Sequence, residues 1–109
     1  YCARAGLEQL RRPGRIARVR QGLLAALVPE VVDAQARFFE DAPARALPSA
    51  FAPFAEGRDI LGDASMLAVE LPGHCVGHWG LALTIESGQP VLLAADAVWS
   101  GRSIAERRP

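Results

Sequence analysis

The sequence predicts a mixed α/β fold of the α+β type, in which a helical half precedes a mostly antiparallel sheet. Three observations carry this. Apolar residues recur at helical spacing over residues 14–28. Pro43, Pro48 and Pro53 interrupt any regular element over residues 41–53. From residue 66 onward, apolar residues alternate or run together at strand length, broken by Pro-Gly and Ser-Gly turns. With 109 residues, 50% of them hydrophobic, the chain can build one domain with a modest core.

The elements follow in order. Residues 3–11 predict a short helix ended by Pro13-Gly14. In residues 14–28, Ile16, Val19, Leu23, Leu24 and Leu27 share one helical face, while Arg15, Arg18 and Gln21 fall on the other. Gly22 weakens that helix by about 1 kcal/mol relative to Ala. Pro29 suits the first turn of a further helix over residues 30–40. There Val31, Val32, Phe38 and Phe39 supply the apolar positions, Gln35 is the exception, and Glu30 and Asp33 sit at the positive end of the dipole.

Residues 42–57 read as an extended linker, with Phe51 and Phe54 anchored in the core. Gly57 and Gly62-Asp63 signal turns. Residues 66–71 alternate as a strand. Residues 81–86 and 91–95 form a second and third, paired as an antiparallel hairpin across Ser87-Gly88-Gln89-Pro90, a loop of about four residues. The run Val91 to Ala95 is wholly apolar and so is expected to be covered on both faces. Residues 58–100 make up the sheet portion, and the polar, Arg-rich residues 101–109 a frayed tail.

Charge and composition exclude several classes. Twelve basic and 12 acidic residues cancel, and every basic residue is Arg. No general attraction to nucleic acid or to anionic lipid follows. No apolar run is long enough to span a bilayer, and no secretory signal is present. Cys2 and Cys75 cannot form a disulfide framework, so a reducing, cytoplasmic setting is expected. The chain opens on Tyr1, not Met, and is read as a piece of a longer protein.

The chemistry concentrates between residues 70 and 99. His74 follows Pro72-Gly73, so its side chain is presented from a rigid turn at a strand exit. An isolated histidine is more often a capping or core residue; the Pro-Gly-His-x-x-Gly-His context favours a ligand or a general base instead. Asp96 ends a buried strand. Its carboxylate is expected to be buried, and either to be paired or metal-bound or to cap a following short helix. His78 is expected to hold the loop by a side-chain hydrogen bond, as an outer-shell group. Gly73 and Gly77 give the loop its shape. Cys75 is a pocket candidate, although a lone thiol here is more often a small packed residue. Trp99 is a second pocket candidate with an equally ordinary alternative as core. The cluster Arg11, Arg12, Arg15, Arg18 and Arg20 reads as a solvated helix face.

The stretch Glu70-Leu71-Pro72-Gly73-His74-Cys75-Val76-Gly77-His78, a strand pair and Leu92-Leu93-Ala94-Ala95-Asp96-Ala97 together resemble the metallo-β-lactamase superfamily. The resemblance is greatest to its hydrolase branch, which includes lactonases and glyoxalase II-like enzymes. It covers residues 58–100 well. Residues 1–41 resemble only loosely the variable helical insertion of that family.

The resemblance implies an αβ/βα sandwich with two zinc ions, or iron or manganese, at one edge. His74 would bind the first metal and Asp96 would bridge both. A metal-activated water would attack an ester, lactone, thioester or amide-like bond of a small-molecule substrate. Three departures stand out. Cys75-Val76 replaces Thr-Pro, Ala95 replaces Gly, and the His-x-His-x-Asp-His motif is absent from a chain with only 2 histidines. The missing N-terminal half of the domain is expected to supply that motif, and this chain alone to bind metal weakly and hydrolyse nothing. Two other functions fit the same residues less well. One is a di-iron redox relative on the same scaffold. The other is a non-catalytic interaction domain that uses the Arg-rich helix.

Overall fold

The computed structural model describes residues 1–11, 28–98 and 100–106. Its centre is a five-stranded antiparallel meander in the order β1-β2-β3-β4-β5. The strands are β1 (Ala44–Ala46), β2 (Glu56–Asp59), β3 (Met66–Glu70), β4 (Trp79–Thr84) and β5 (Pro90–Leu93). The helices are α1 (Arg4–Arg11), α2 (Val31–Gln35) and α3 (Gly101–Glu106). This is the α+β arrangement the sequence predicts. No helix among the described residues is long and apolar enough to cross a membrane.

β3 is the middle strand, and its composition suits that place. Leu67, Ala68 and Val69 are all buried, as a strand paired on both edges and packed on its faces requires. It pairs with β4 from Met66↔Leu83 to Glu70↔Trp79 and with β2 through Arg58↔Ala68 and Asp59↔Leu67. One face of the sheet carries the core of Phe51, Val69, Leu71 and Ala82, with Leu47, Phe54 and Ala94 packed against it. Phe51 and Phe54 thus anchor the proline-rich stretch as expected. That stretch is more than a linker, however. Its β1 forms the outer strand beside β2 (Ala44↔Arg58 to Ala46↔Glu56), and all three of its residues are exposed. Pro43 and Pro48 flank it, which fits an edge rather than a central strand.

The β2–β3 turn is organised by Asp59, the one buried charged residue described, at 2% exposure. Its carboxylate accepts hydrogen bonds from the amides of Gly62 (2.8 Å) and Ala64 (3.1 Å), and Arg45 Nε lies 3.5 Å away. Gly62 and Ala64 both take positive φ, at 87° and 60°, which turns their N–H groups inward. On the exposed side of the same turn, Asp63 accepts from the amide and the hydroxyl of Ser65.

The N-terminal segment is tied to the sheet by aromatic stacking. Tyr1 stacks on Phe39 and Phe39 on Trp79, with centroids 5.9 and 5.1 Å apart. Cys2 forms a parallel bridge with Phe38, donating to the Arg37 carbonyl and accepting from the Phe39 amide. This bridge accounts for a departure from the expected helix over residues 30–40. Only Val31–Gln35 is α-helical, and Phe39–Asp41 forms a 3-10 turn. α2 buries no side chain, and Val31 is 51% exposed. A five-residue helix without packing is too weak to propagate into a segment that Cys2 already claims.

Two further expectations change. β5 is an outer strand with Leu93 51% exposed, so it is not covered on both faces within this chain. The expected frayed tail contains α3, stabilised along one side by an Arg102–Glu106 pair. The helix expected over residues 14–28 and its Arg-rich face lie outside the described residues, except for Val28. The preceding Arg11 pairs with Asp33.

Asp59→Ala is expected to cost about 1–3 kcal/mol, because it strands two inward-facing amides; a lower urea midpoint at unchanged slope would show it. The Ser65 hydroxyl, helped by the Ser65 amide, holds the Asp63 carboxyl below its ordinary value. The stabilisation linked to it is therefore present above the unfolded carboxyl's titration and is lost as pH falls through the folded one. Ser65→Ala should raise the Asp63 midpoint in a carboxyl NMR titration.

Candidate functional site

Gly73, His74, Cys75, Gly77 and His78 sit on the loop between β3 and β4, and Asp96 follows β5. The Leu71 amide donates to the His78 carbonyl at 2.9 Å, extending the ladder by one step and closing residues 72–77 into a tight excursion. Gly73 and Gly77 take positive φ, 142° and 72°. Gly77 has a second reason to be glycine. A Cβ there would lie 2.7 Å from Ala3 Cβ and 2.9 Å from the Gly6 amide nitrogen, so the loop rests directly on α1. Both glycines therefore shape the loop, as the sequence predicts.

The loop carries His74 towards the turn after β5. His74 Nε2 and Asp96 Oδ2 stand 3.8 Å apart, with the side chains 41% and 83% exposed. The two residues the sequence singles out are thus brought together. Their separation exceeds a hydrogen bond, and an exposed pair of this kind contributes at most about 1 kcal/mol. Asp96 is not buried, contrary to expectation. It sits in a 3-10 turn, Ala95–Ala97, beyond the last residue of an outer strand, and caps no helix. Ala95 adopts φ 47°, which turns the chain outward. That conformation suits glycine best, the residue the resemblance places there.

His78 departs from its expected role. Its carbonyl closes the loop, but both of its ring nitrogens are buried without a hydrogen-bond partner. Its ring lies 5.6 Å from that of His74, tilted by 60°. Cys75 is an exposed free thiol. Trp99 lies outside the described residues.

His74, Cys75 and His78 line a cavity of about 650 Å³ between α1 and the loop. Its walls include Gly6 of α1, Glu40, Glu70, His74, His78 and Trp79. Glu40 and Trp79 were not singled out from the sequence. Glu40 Oε1 accepts from the Arg4 amide at 2.9 Å, whereas Oε2 is buried and unpartnered. A contact across so many residues leaves no local sequence signal.

An imidazole and a carboxylate 3.8 Å apart can reach one divalent cation, since each metal–donor bond measures about 2.0–2.2 Å. The donor set fits as part of a site. No three His, Cys, Asp or Glu side chains among the described residues stand together to hold a metal ion. Among known protein families, curated proteins and solved structures, none matches this chain.

Gly77→Ala is expected to destabilise by at least about 2 kcal/mol, from steric overlap with Ala3 and Gly6 together with the strained φ. Denaturation by urea measures the loss. Amide NMR shifts should be largest in α1 and residues 72–78.

Proposed function

We propose that this chain supplies the His74–Asp96 half of a metal-dependent hydrolase site of the metallo-β-lactamase kind. The sheet would be part of that family's αβ/βα sandwich, in a cytoplasmic protein whose two cysteines stay reduced. The observation that carries the proposal is the 3.8 Å approach of His74 and Asp96, with His74 also lining a cavity large enough for a small substrate. Two donors do not complete a catalytic site, so the reading needs further ligands besides these. Zinc, iron or manganese would suit this oxygen and nitrogen set.

When bound, such a metal makes water a nucleophile near neutral pH and polarises a carbonyl. The residues of this chain do the positioning. The closed loop fixes the His74 imidazole, and the Ala95–Ala97 turn presents the Asp96 carboxylate with both oxygens accessible. Little of this geometry depends on mutual attraction between the two side chains, so the donors are already arranged before any cation arrives. The cavity beside them, walled by Trp79 and the loop, would hold the substrate.

Zinc titration of the chain by calorimetry is expected to show weak binding, no tighter than micromolar. His74→Ala and Asp96→Ala should each weaken it at least about tenfold, or about 1.4 kcal/mol. In a protein carrying the remaining ligands, either substitution should remove hydrolysis by several orders of magnitude with the fold kept. Zinc affinity indifferent to both substitutions would end this reading.

A further inference from the structure

The two edges of the sheet are built differently. β1 is three residues long, lies between Pro43 and Pro48 and has Arg45 at its centre. Each of these features keeps an edge from pairing with another chain. β5 has none of them after Pro90. From Ser87 to Ala95 no residue is charged. Leu92 and Leu93, whose side chains alternate between the two faces of the sheet, are 36% and 51% exposed. Among the described residues, β4 is the only strand paired with β5.

The register shows which backbone groups this free edge offers. The Ile85 amide donates to the Gln89 carbonyl, so these two residues form a hydrogen-bonded pair. By the alternation of an antiparallel ladder, Leu83↔Val91 and Leu81↔Leu93 are hydrogen-bonded pairs too. The N–H and C=O groups of Val91 and Leu93 therefore face β4, and those of Pro90, Leu92 and Ala94 face outward. Pro90 has no N–H, and the Ala94 carbonyl already accepts from the Ala97 amide at 3.0 Å. The edge thus offers the Pro90 carbonyl, both groups of Leu92 and the Ala94 amide.

This set is complementary to itself under a two-fold rotation. An antiparallel pair centred on Leu92 bonds each Leu92 amide to the other copy's Leu92 carbonyl, and each Ala94 amide to the other copy's Pro90 carbonyl. The remaining ladder bond would need an N–H at Pro90 and a free carbonyl at Ala94, and both are missing together. A strand with an ordinary residue opposite Ala94 would bring an N–H that this edge cannot accept. Leu92 meets Leu92 on one face and Val91 meets Leu93 on the other, with no charge set against like charge. The same operation on β1 would set Arg45 against Arg45.

We propose that this chain self-associates through β5 into a two-fold dimer with one continuous sheet. So short an edge buries an area at the low end for specific interfaces, below about 1,200 Å², and the dimer is accordingly weak and reversible. The blunted β1 at each outer end stops growth at two copies. No metal and neither His74 nor Asp96 takes part, so the dimer stands apart from the hydrolase reading.

The test is sedimentation equilibrium of the chain from about 10 μM to about 1 mM, where an interface of this size associates, with amide NMR over the same range. The mass is expected to rise from monomer to dimer and to stop there. The Leu92 and Ala94 amide protons should move downfield with the dimer fraction, while those of Ala44–Ala46 stay in place. A mixture of labelled and unlabelled chain should show a contact between the α-protons of Val91 and Leu93 across copies, which face each other in a non-hydrogen-bonded pair. Leu92→Lys and Leu92→Glu should each weaken the dimer at least about tenfold by setting like charges directly opposite, and mixing the two should restore it. A monomer mass over the whole range, growth past the dimer, a dimer whose Leu92 and Ala94 amides do not move, or an undiminished dimer in either folded variant would overturn the proposal. Should the variants unfold, the mass and the amide shifts of the unsubstituted chain decide alone.

Discussion

The hydrogen bond from the Leu71 amide to the His78 carbonyl governs the geometry of this molecule's chemistry. It converts the end of a hairpin into a closed loop whose course is then decided by two positive-φ glycines and by contact with α1. Leu71 is itself in the core, 7% exposed. The loop thus springs from packed structure on one side and rests on a helix on the other. The backbone at His74 shares that course. A side chain held this way costs little further ordering when a ligand engages it.

The two carboxylates at opposite ends of the fold show how differently one group can be treated. Asp59 is buried and satisfied by two backbone amides, with Arg45 nearby, and its work is to hold the β2–β3 turn. Asp96 is exposed and lies 3.8 Å from the His74 ring nitrogen. A structural acid is surrounded by donors, because an unpaired buried charge is expensive. An acid proposed to take a cation, as Asp96 is, would need its oxygens accessible. Glu40 belongs to neither class, since one oxygen is bonded and the other is buried and unmet.

Three of the five strands, β3 to β5, were legible in the sequence because their signals are local, whereas β1 and β2 fall in a stretch read as a linker with Gly57 as a turn. Alternation in residues 66–71, the Ser87-Gly88 turn and the Pro-Gly exit fix the strands and their pairing to within two residues. The convergence of His74 and Asp96 was legible for the same reason, since adjacent hairpins of a meander bring their ends together. What failed depends on distant contacts. The helix over residues 30–40 stops where Cys2 takes the Arg37 carbonyl, and nothing near residue 37 announces Cys2. The exposure of Asp96 depends on what covers an outer strand, which the composition of that strand does not reveal. Asp59 was missed although a signal existed: Asp followed three residues later by Gly62 is a turn pattern, and it was passed over for the more conspicuous Gly62-Asp63.

The unmet groups behind the loop differ in kind from the exposed His74–Asp96 pair. An exposed histidine and aspartate 3.8 Å apart neither gain nor lose much from each other, so their proximity alone carries little energetic information. Glu40 Oε2 and the His78 nitrogens are different, because burial without partners is a cost the fold bears. The fold elsewhere meets its buried carboxylate with donors, as at Asp59, so the means to satisfy Glu40 existed in the same polypeptide. With essentially no accessible surface, these atoms are closed to anything in the cavity and are a cost of seating the loop on α1.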